Sequence, residues 1–259
     1  MAPLPRSGPS PSGPSRSRLP ESIRACLFDL DGVITQTARV HAQAWKETFD
    51  ALLAARAGGG DWVPFDIVSD YERDVDGRPR DDGVRTFLAS RGITLPEGSD
   101  DDPPDAATVR GVARHKDDRF RELASAGVEV YPGSVRLLEA VRRESRATAC
   151  VSASKNARWV LEGVHLDDHF DVIVDGVVAE ERHLAGKPAP DTYCAAADLL
   201  GRKPAECVVF EDAEAGVAAG RAGAFGLVVG VDRGGHVDAL LAHGADRVVR
   251  DLAELLDGS

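Results

Sequence analysis

Arg24-Ala25-Cys26-Leu27-Phe28-Asp29-Leu30-Asp31-Gly32 is a short apolar run that ends in two acids and a glycine. Its length and unbroken apolarity suit a strand buried on both faces of a parallel sheet. Side chains alternate along a strand, so Asp29 and Asp31 point to the same side. Two carboxylates that close repel each other unless a cation lies between them. Parallel sheets also place their binding crevice just beyond the carboxyl ends of the strands, where this pair falls. Taken alone, the segment is equally an acidic turn, since Asp-Gly often marks one.

Working outward, four later runs have the same apolar character, at 147–151, 170–174, 207–210 and 225–229, with a weaker one at 247–249. Helical patterns at 133–144, 157–163, 190–200 and 215–222 separate most of them, and a short helix is expected at 252–256. Strand and helix alternate at βαβ spacing, which predicts an α/β fold with a parallel sheet covered on both faces. The stretch 35–129 breaks that rhythm. It has helical periodicity at 40–54, 83–90 and 106–124 and few β-branched runs, so it reads as a mainly helical domain inserted after the first strand. The expected organisation is a flexible arm at 1–20, core at 21–34, a helical cap at 35–129 and the rest of the core at 130–259. Residues 98–105, with four aspartates and two prolines, read as an exposed loop and not a metal cage.

The 259 residues carry 43 acidic and 31 basic side chains, a formal charge of −12. That balance argues against nucleic-acid binding, whose footprint is a basic patch. It does not exclude a small anionic substrate, because a few local cations and a metal outweigh a distant field. Cys26, Cys150, Cys194 and Cys207 have no metal-ligand spacing. They are expected to be free thiols in a reducing cytoplasm. No apolar run is long enough to cross a bilayer. The Pro-, Ser- and Arg-rich start lacks the hydrophobic block of a secretory signal. A monomer is expected, with a weak homodimer as the alternative.

Three more strand ends carry chemistry. Ser152-Ala153-Ser154-Lys155-Asn156 places hydroxyls and an amide before a helix, a natural phosphate cradle as well as an ordinary N-cap. Gly186-Lys187-Pro188 brings a lysine just before another helix. Glu211-Asp212 follows an apolar strand, where two unpaired acids are costly and a hard cation would resolve the cost. Four carboxylates, a serine and a lysine suit Mg2+ and a phosphoryl group, with one carboxylate attacking phosphorus in line and another moving a proton. No nucleotide-binding Walker loop, GxGxxG or Gly-x-Ser-x-Gly elbow is present.

In their order, Phe28-Asp29-Leu30-Asp31-Gly32-Val33-Ile34-Thr35, Ser152, Gly186-Lys187-Pro188-Ala189-Pro190-Asp191 and Phe210-Glu211-Asp212-Ala213-Glu214-Ala215-Gly216 resemble the four motifs of the haloacid dehalogenase superfamily, in its β-phosphoglucomutase-like branch. The resemblance covers nearly everything from Ile23 onward. It implies a Rossmann-like core with a helical cap and a magnesium-dependent phosphotransferase. Asp29 would be the nucleophile, and Asp31 the general acid/base, its main-chain carbonyl also holding Mg2+. Asp29 and Asp212 would be side-chain metal ligands, with Glu211 beside them, while Ser152 and Lys187 hold the transferring phosphoryl group. The finer resemblance makes Thr37, His41 and Trp45 part of the cap's contact with the site, with His41 steadying Asp31. Gly77 and Arg80 become the cap loop that grips a second phosphate, Ala153, Ser154, Lys155 and Asn156 the core side of that clamp, and Lys116 a cap lysine reaching the sugar. Trp45 reads equally as packing. Two positions depart from the pattern: Gln36 replaces an aspartate, and Asp76 a lysine. The implied reaction interconverts β-glucose 1-phosphate and glucose 6-phosphate through the 1,6-bisphosphate. A phosphatase acting on a sugar phosphate is the alternative, since it shares the first half-reaction.

Overall fold

Strand β1 (Ala25–Phe28) lies in the middle of a six-stranded sheet of order β3-β2-β1-β4-β5-β6. The structure is a computed structural model that describes residues 15–257. The other strands are β2 (Ala147–Val151), β3 (Val172–Val174), β4 (Cys207–Glu211), β5 (Leu227–Val231) and β6 (Arg247–Val249). Every pairing is parallel. Phe28 is level with Cys150 on one side and Phe210 on the other, so the three central strands end within one residue of each other. The chain builds outward from β1 in one direction through β2 and β3, and in the other through β4 to β6. That reversal creates a crevice at the carboxyl ends of β1 and β4.

Alternation along β1 explains why the sheet is buried on both sides. Cys26 and Phe28 join a cluster with Leu137, Leu138 and Val141 of helix α4 (Pro132–Arg143), while Ala25 and Leu27 join one with Tyr193, Ala196 and Ala197 of α7 (Asp191–Leu199). The remaining core helices are α5 (Ala157–Gly163), α6 (Gly176–Glu181), α8 (Glu214–Ala222) and α9 (Val237–Ala242). Of these, α6 and α9 were not anticipated, being only six residues each and too short for a readable period.

The insert is helical: α1 (Thr37–Ala57), α2 (Arg80–Ser90) and α3 (Val109–Ala124), with a short π-helical turn at Tyr71–Val75. Helix α1 stops at Gly58, which takes the left-handed conformation at φ 57° that glycine adopts without strain. Thr108 caps α3 by accepting from Gly111 N. Trp45, Phe49, Phe65 and Phe87 form a core separate from the two sheet clusters. Phe49 stacks on Phe87 at 3.9 Å and on Trp45 at 4.9 Å. Each such buried aromatic side chain contributes about 1.5–3 kcal/mol by removing apolar surface from water. Both crossings between sheet and insert are tied together: Gln36 N donates to Glu129 O and Tyr131 N to Ile34 O.

Three expectations change. Of the arm expected at 1–20, residues 1–14 lie outside the described residues. Residues 15–20, however, run along the core: Ser17 donates to Glu144, Arg18 N donates to Leu255 O, and Leu19 is buried in the sheet cluster. The third and fifth strands each begin two residues later than their apolar runs: Val172 is level with Ala149 and Leu227 with Val208, while Phe170 packs edge-on against Phe28 and Phe225 against Tyr193. The last helix is a single 3-10 turn, Leu252–Leu255. All four cysteines are free, and no helix among the described residues is long and apolar enough to cross a membrane.

Candidate active site

Asp29 follows the last residue of β1 and anchors its backbone by donating from N to Phe210 O. The residue is 7% exposed, and Lys187, itself 4% exposed, donates from Nζ to its Oδ1 at 2.5 Å. The same ammonium donates to Glu211 Oε1 at 2.5 Å and lies 5.0 Å from the centre of the Tyr193 ring. Glu211 is held at three points, because Tyr193 Oη also donates to Oε1 at 2.9 Å and Ala213 N donates to Oε2. One lysine thus lies between two buried acids. Burial would favour its neutral form, but the charges of Asp29 and Glu211 raise its pKa well above the ordinary value.

Oxygens of Asp29, Glu211 and Asp212 lie within 4.8 Å of one another. Burial and the neighbouring carboxylates raise the pKa of both Asp29 and Asp212, Lys187 opposing this at Asp29 and Arg233 at Asp212. A hard divalent cation among three oxygen donors relieves that repulsion, so the donor set fits Mg2+. The backbone makes room for it. A Cβ on Gly32, at φ +87°, would fall 1.7 Å from Asp212 Oδ2, and one on Gly216 would fall 1.7 Å from Glu211 Oε1.

The Asp31 side chain turns away from this cluster. Its Oδ1 accepts a short hydrogen bond from Thr37 and lies 3.2 Å from His41 Nε2, while Ser152 Oγ donates to Oδ2 at 3.2 Å. Burial works against ionisation here, but the His41 ring and the Thr37 hydroxyl outweigh it and hold the carboxyl below its usual range. Behind it, Lys116 Nζ donates to His41 Nδ1 at 2.5 Å, and His41 stacks on Phe120 at 4.0 Å. Burial and then the Arg80 charge bring Lys116 down to about 7. Trp45 is a core residue of the cap whose edge still lines the cleft, with Lys116 Nζ 5.0 Å from its ring.

The cleft between sheet and cap has a volume of about 790 Å³ and runs from Asp29 and Asp212 past Gly77 and Arg80 to Ala153, Ser154 and Lys155. Asn156 Nδ2 donates at 2.6 Å to Asp117 Oδ1 on α3, which also accepts from Arg80 Nη2 at 2.7 Å. Arg80 and Asn156 therefore meet across the domains on one anion. Asn156 Oδ1 is buried without a hydrogen-bond partner among the described residues. Lys155, in contrast, points to Glu180 at 2.9 Å. Asp76 lines the cleft too; burial, then the charge of Glu211, pushes its pKa up to about 7.

The family profile of haloacid dehalogenase-like hydrolases matches residues 23–223. The chain belongs to this family. Among its relatives is the β-phosphoglucomutase of Mycobacterium bovis, 53% identical over 244 residues, which are 92% of this chain and 93% of the relative. A β-phosphoglucomutase of Bacillus subtilis is 32% identical over 90% of this chain and 92% of its own. Among solved structures, β-phosphoglucomutase from Clostridium difficile superposes with a TM-score of 0.72 at 28% identity, covering 90% of this chain and 93% of that one. Phosphotransfer chemistry is the activity of this enzyme. Four residues around the site escaped the sequence reading: Tyr71, which lines the cleft, and Asp117, Tyr193 and Arg233. Arg233 donates to Gly32 O at 2.7 Å and lies 3.5 Å above the Tyr131 ring, touching both crossings to the cap. None had a local signal, except that Asp117 directly follows Lys116.

Proposed function

We propose that this enzyme is a β-phosphoglucomutase that interconverts β-glucose 1-phosphate and glucose 6-phosphate through an aspartyl phosphate on Asp29. The observation that supports the reading is a single cleft with a cationic side chain toward each end, Lys187 at one and Arg80 at the other. Asp29, Lys187 and the acid cluster line one end; Arg80 and Ser154 line the other, with Asn156 behind them joined to Arg80 through Asp117. A bisphosphate intermediate needs both ends, because either phosphate must be presented to Asp29 in turn.

The cycle starts with Asp29 phosphorylated. The 6-hydroxyl of β-glucose 1-phosphate attacks that phosphorus while Asp31 takes its proton, and the bond from phosphorus to Asp29 breaks to give the 1,6-bisphosphate. After the sugar turns over, Asp29 attacks the 1-phosphoryl group, and Asp31 returns the proton to the leaving oxygen. Asp31 is suited to begin as the acceptor, since His41 and Thr37 keep it ionised against the effect of burial. Lys187 and Ser152 hold the phosphoryl oxygens. Asp29, Glu211, Asp212 and the Asp31 carbonyl would hold Mg2+, which would supply neutralising charge. Arg80 grips the far phosphate, and Lys116 and Trp45 face the sugar.

Purified enzyme with Mg2+, β-glucose 1-phosphate and a trace of the bisphosphate should form glucose 6-phosphate with little free phosphate. Asp29→Asn should lower turnover by more than about 10³-fold, as expected for loss of a covalent nucleophile. Free phosphate without isomer would make the enzyme a phosphatase instead, and turnover retained by Asp29→Asn would remove Asp29 from the mechanism.

A further inference from the structure

We infer that Pro79 and Gly186 are acceptor-specificity residues, which keep water from competing with the sugar hydroxyl for the phosphoryl group on Asp29; the inference rests on the mutase reading above. Both acceptors complete the same exchange. A sugar hydroxyl or a water forms the new bond to phosphorus, the bond to Asp29 breaks, and the acceptor's proton goes to Asp31. Water yields inorganic phosphate and ends the cycle. The chemistry at Asp29 does not distinguish the two, so selection falls to whatever shapes access to it.

Access is shaped where the cap loop meets the core. Gly77 is seated on the core beside Asp212: a Cβ there would lie 3.4 Å from the Ala213 Cβ and 3.6 Å from the Ala215 Cβ, ordinary contact distances. Two residues on, the Pro79 ring meets the backbone of Gly186, next to Lys187. A Cβ on Gly186 would fall 2.5 Å from Pro79 Cγ and 2.7 Å from Cδ, closer than real atoms approach. Gly186 is not among the glycines at positive φ, so its backbone conformation is open to other residues. Space alone excludes a side chain there. The rigid ring, which cannot swing aside as a long side chain would, occupies that space. Both residues line the cleft, so the contact sets the loop that carries Lys187 against the cap loop that leads into Arg80 at the cleft wall.

Each partner can be changed so that this wall leaks for an opposite reason. Pro79→Ala removes two methylene groups and leaves room for a water, whose share of liquid volume is about 30 Å³. Gly186→Ala drives a methyl into the ring and lifts the cap loop. The double variant Gly186→Ala/Pro79→Ala puts the new methyl where the ring carbons were. The readout is the ratio of free phosphate to glucose 6-phosphate formed from β-glucose 1-phosphate, primed with bisphosphate in Mg2+. This ratio is insensitive to a general loss of rate or of folded enzyme.

Each single variant should raise the ratio about tenfold, and the double variant should return it to within about threefold of wild type. Single variants that both stay within about twofold of wild type would overturn the inference, as would a double variant as hydrolytic as Gly186→Ala. Failure of the underlying mutase reading is separately visible, because wild-type enzyme would then release phosphate without isomer.

Discussion

Glu211 shows how a single side chain comes to be aimed. Its carboxylate is 1% exposed and accepts from Lys187, Tyr193 and Ala213 N, so rotation would strand three donors in a dry interior. Tyr193→Phe removes one of them without changing the packing of the ring. Loss of that hydrogen bond should lower stability by about 1–2 kcal/mol in denaturant titrations. It should also raise the Mg2+ concentration for half-maximal activity several-fold, because a less constrained Glu211 is a poorer neighbour to the ion. An unchanged magnesium requirement would confine Tyr193 to a packing role. Glu211 itself was legible in the sequence, since two adjacent acids at a buried strand end ask for a cation. Tyr193 was not. It reads as one more aromatic on an apolar helix face, and only its contact with Glu211, 18 residues further along the chain, distinguishes it.

Helix α3 serves two parts of the cleft with consecutive residues. Lys116 and Asp117 are about 100° apart around the helix, so one meets His41 and Trp45 while the other meets Arg80 and Asn156. Burial of Lys116 has a thermodynamic consequence with a definite sign. In the fold it loses its proton at about 7, with burial the larger cause and the Arg80 charge the next. In the unfolded chain a lysine keeps its proton to about 10.4. Between those values the unfolded state binds more protons, so this residue's contribution to stability rises with pH. Wild-type enzyme should gain on the order of 4 kcal/mol relative to Lys116→Met between pH 7 and pH 10, as measured by denaturant titration at each pH. Parallel pH dependences for the two proteins would mean that Lys116 keeps its charge throughout. The helix was readable from its period, and Lys116 from its resemblance to a cap lysine. Its contact with a histidine 75 residues earlier was not.

At the scale of the molecule, the insert keeps an apolar core of its own, while Ala44 of α1 and Phe120 and Ala124 of α3 join the cluster on one face of the sheet, and two paired crossings tie the backbones together. The sheet core extends further toward the amino terminus than composition indicated. Leu19 sits inside it at 6% exposure, and Ser17 and Arg18 tie that segment to Glu144 and Leu255. Leu19→Ala should therefore cost about 2–4 kcal/mol, the range for truncating a buried leucine, whereas a change within ±0.5 kcal/mol would return residue 19 to a solvated arm. What the sequence determined by itself was the alternation of strand and helix, the helical insert and the acid and serine motifs at strand ends; Lys187, expected at a strand end as well, instead lies beyond α6, in the loop that leads into α7. Those depend on periodicity and on neighbours within a few residues, which a linear string displays. Tertiary structure alone decided that Pro79 abuts Gly186, that Asp117 joins Arg80 to Asn156, that Tyr193 braces Glu211 and that Leu19 is core. Each of these is a contact between segments far apart in the chain, and close packing across a folded interface has no period to read.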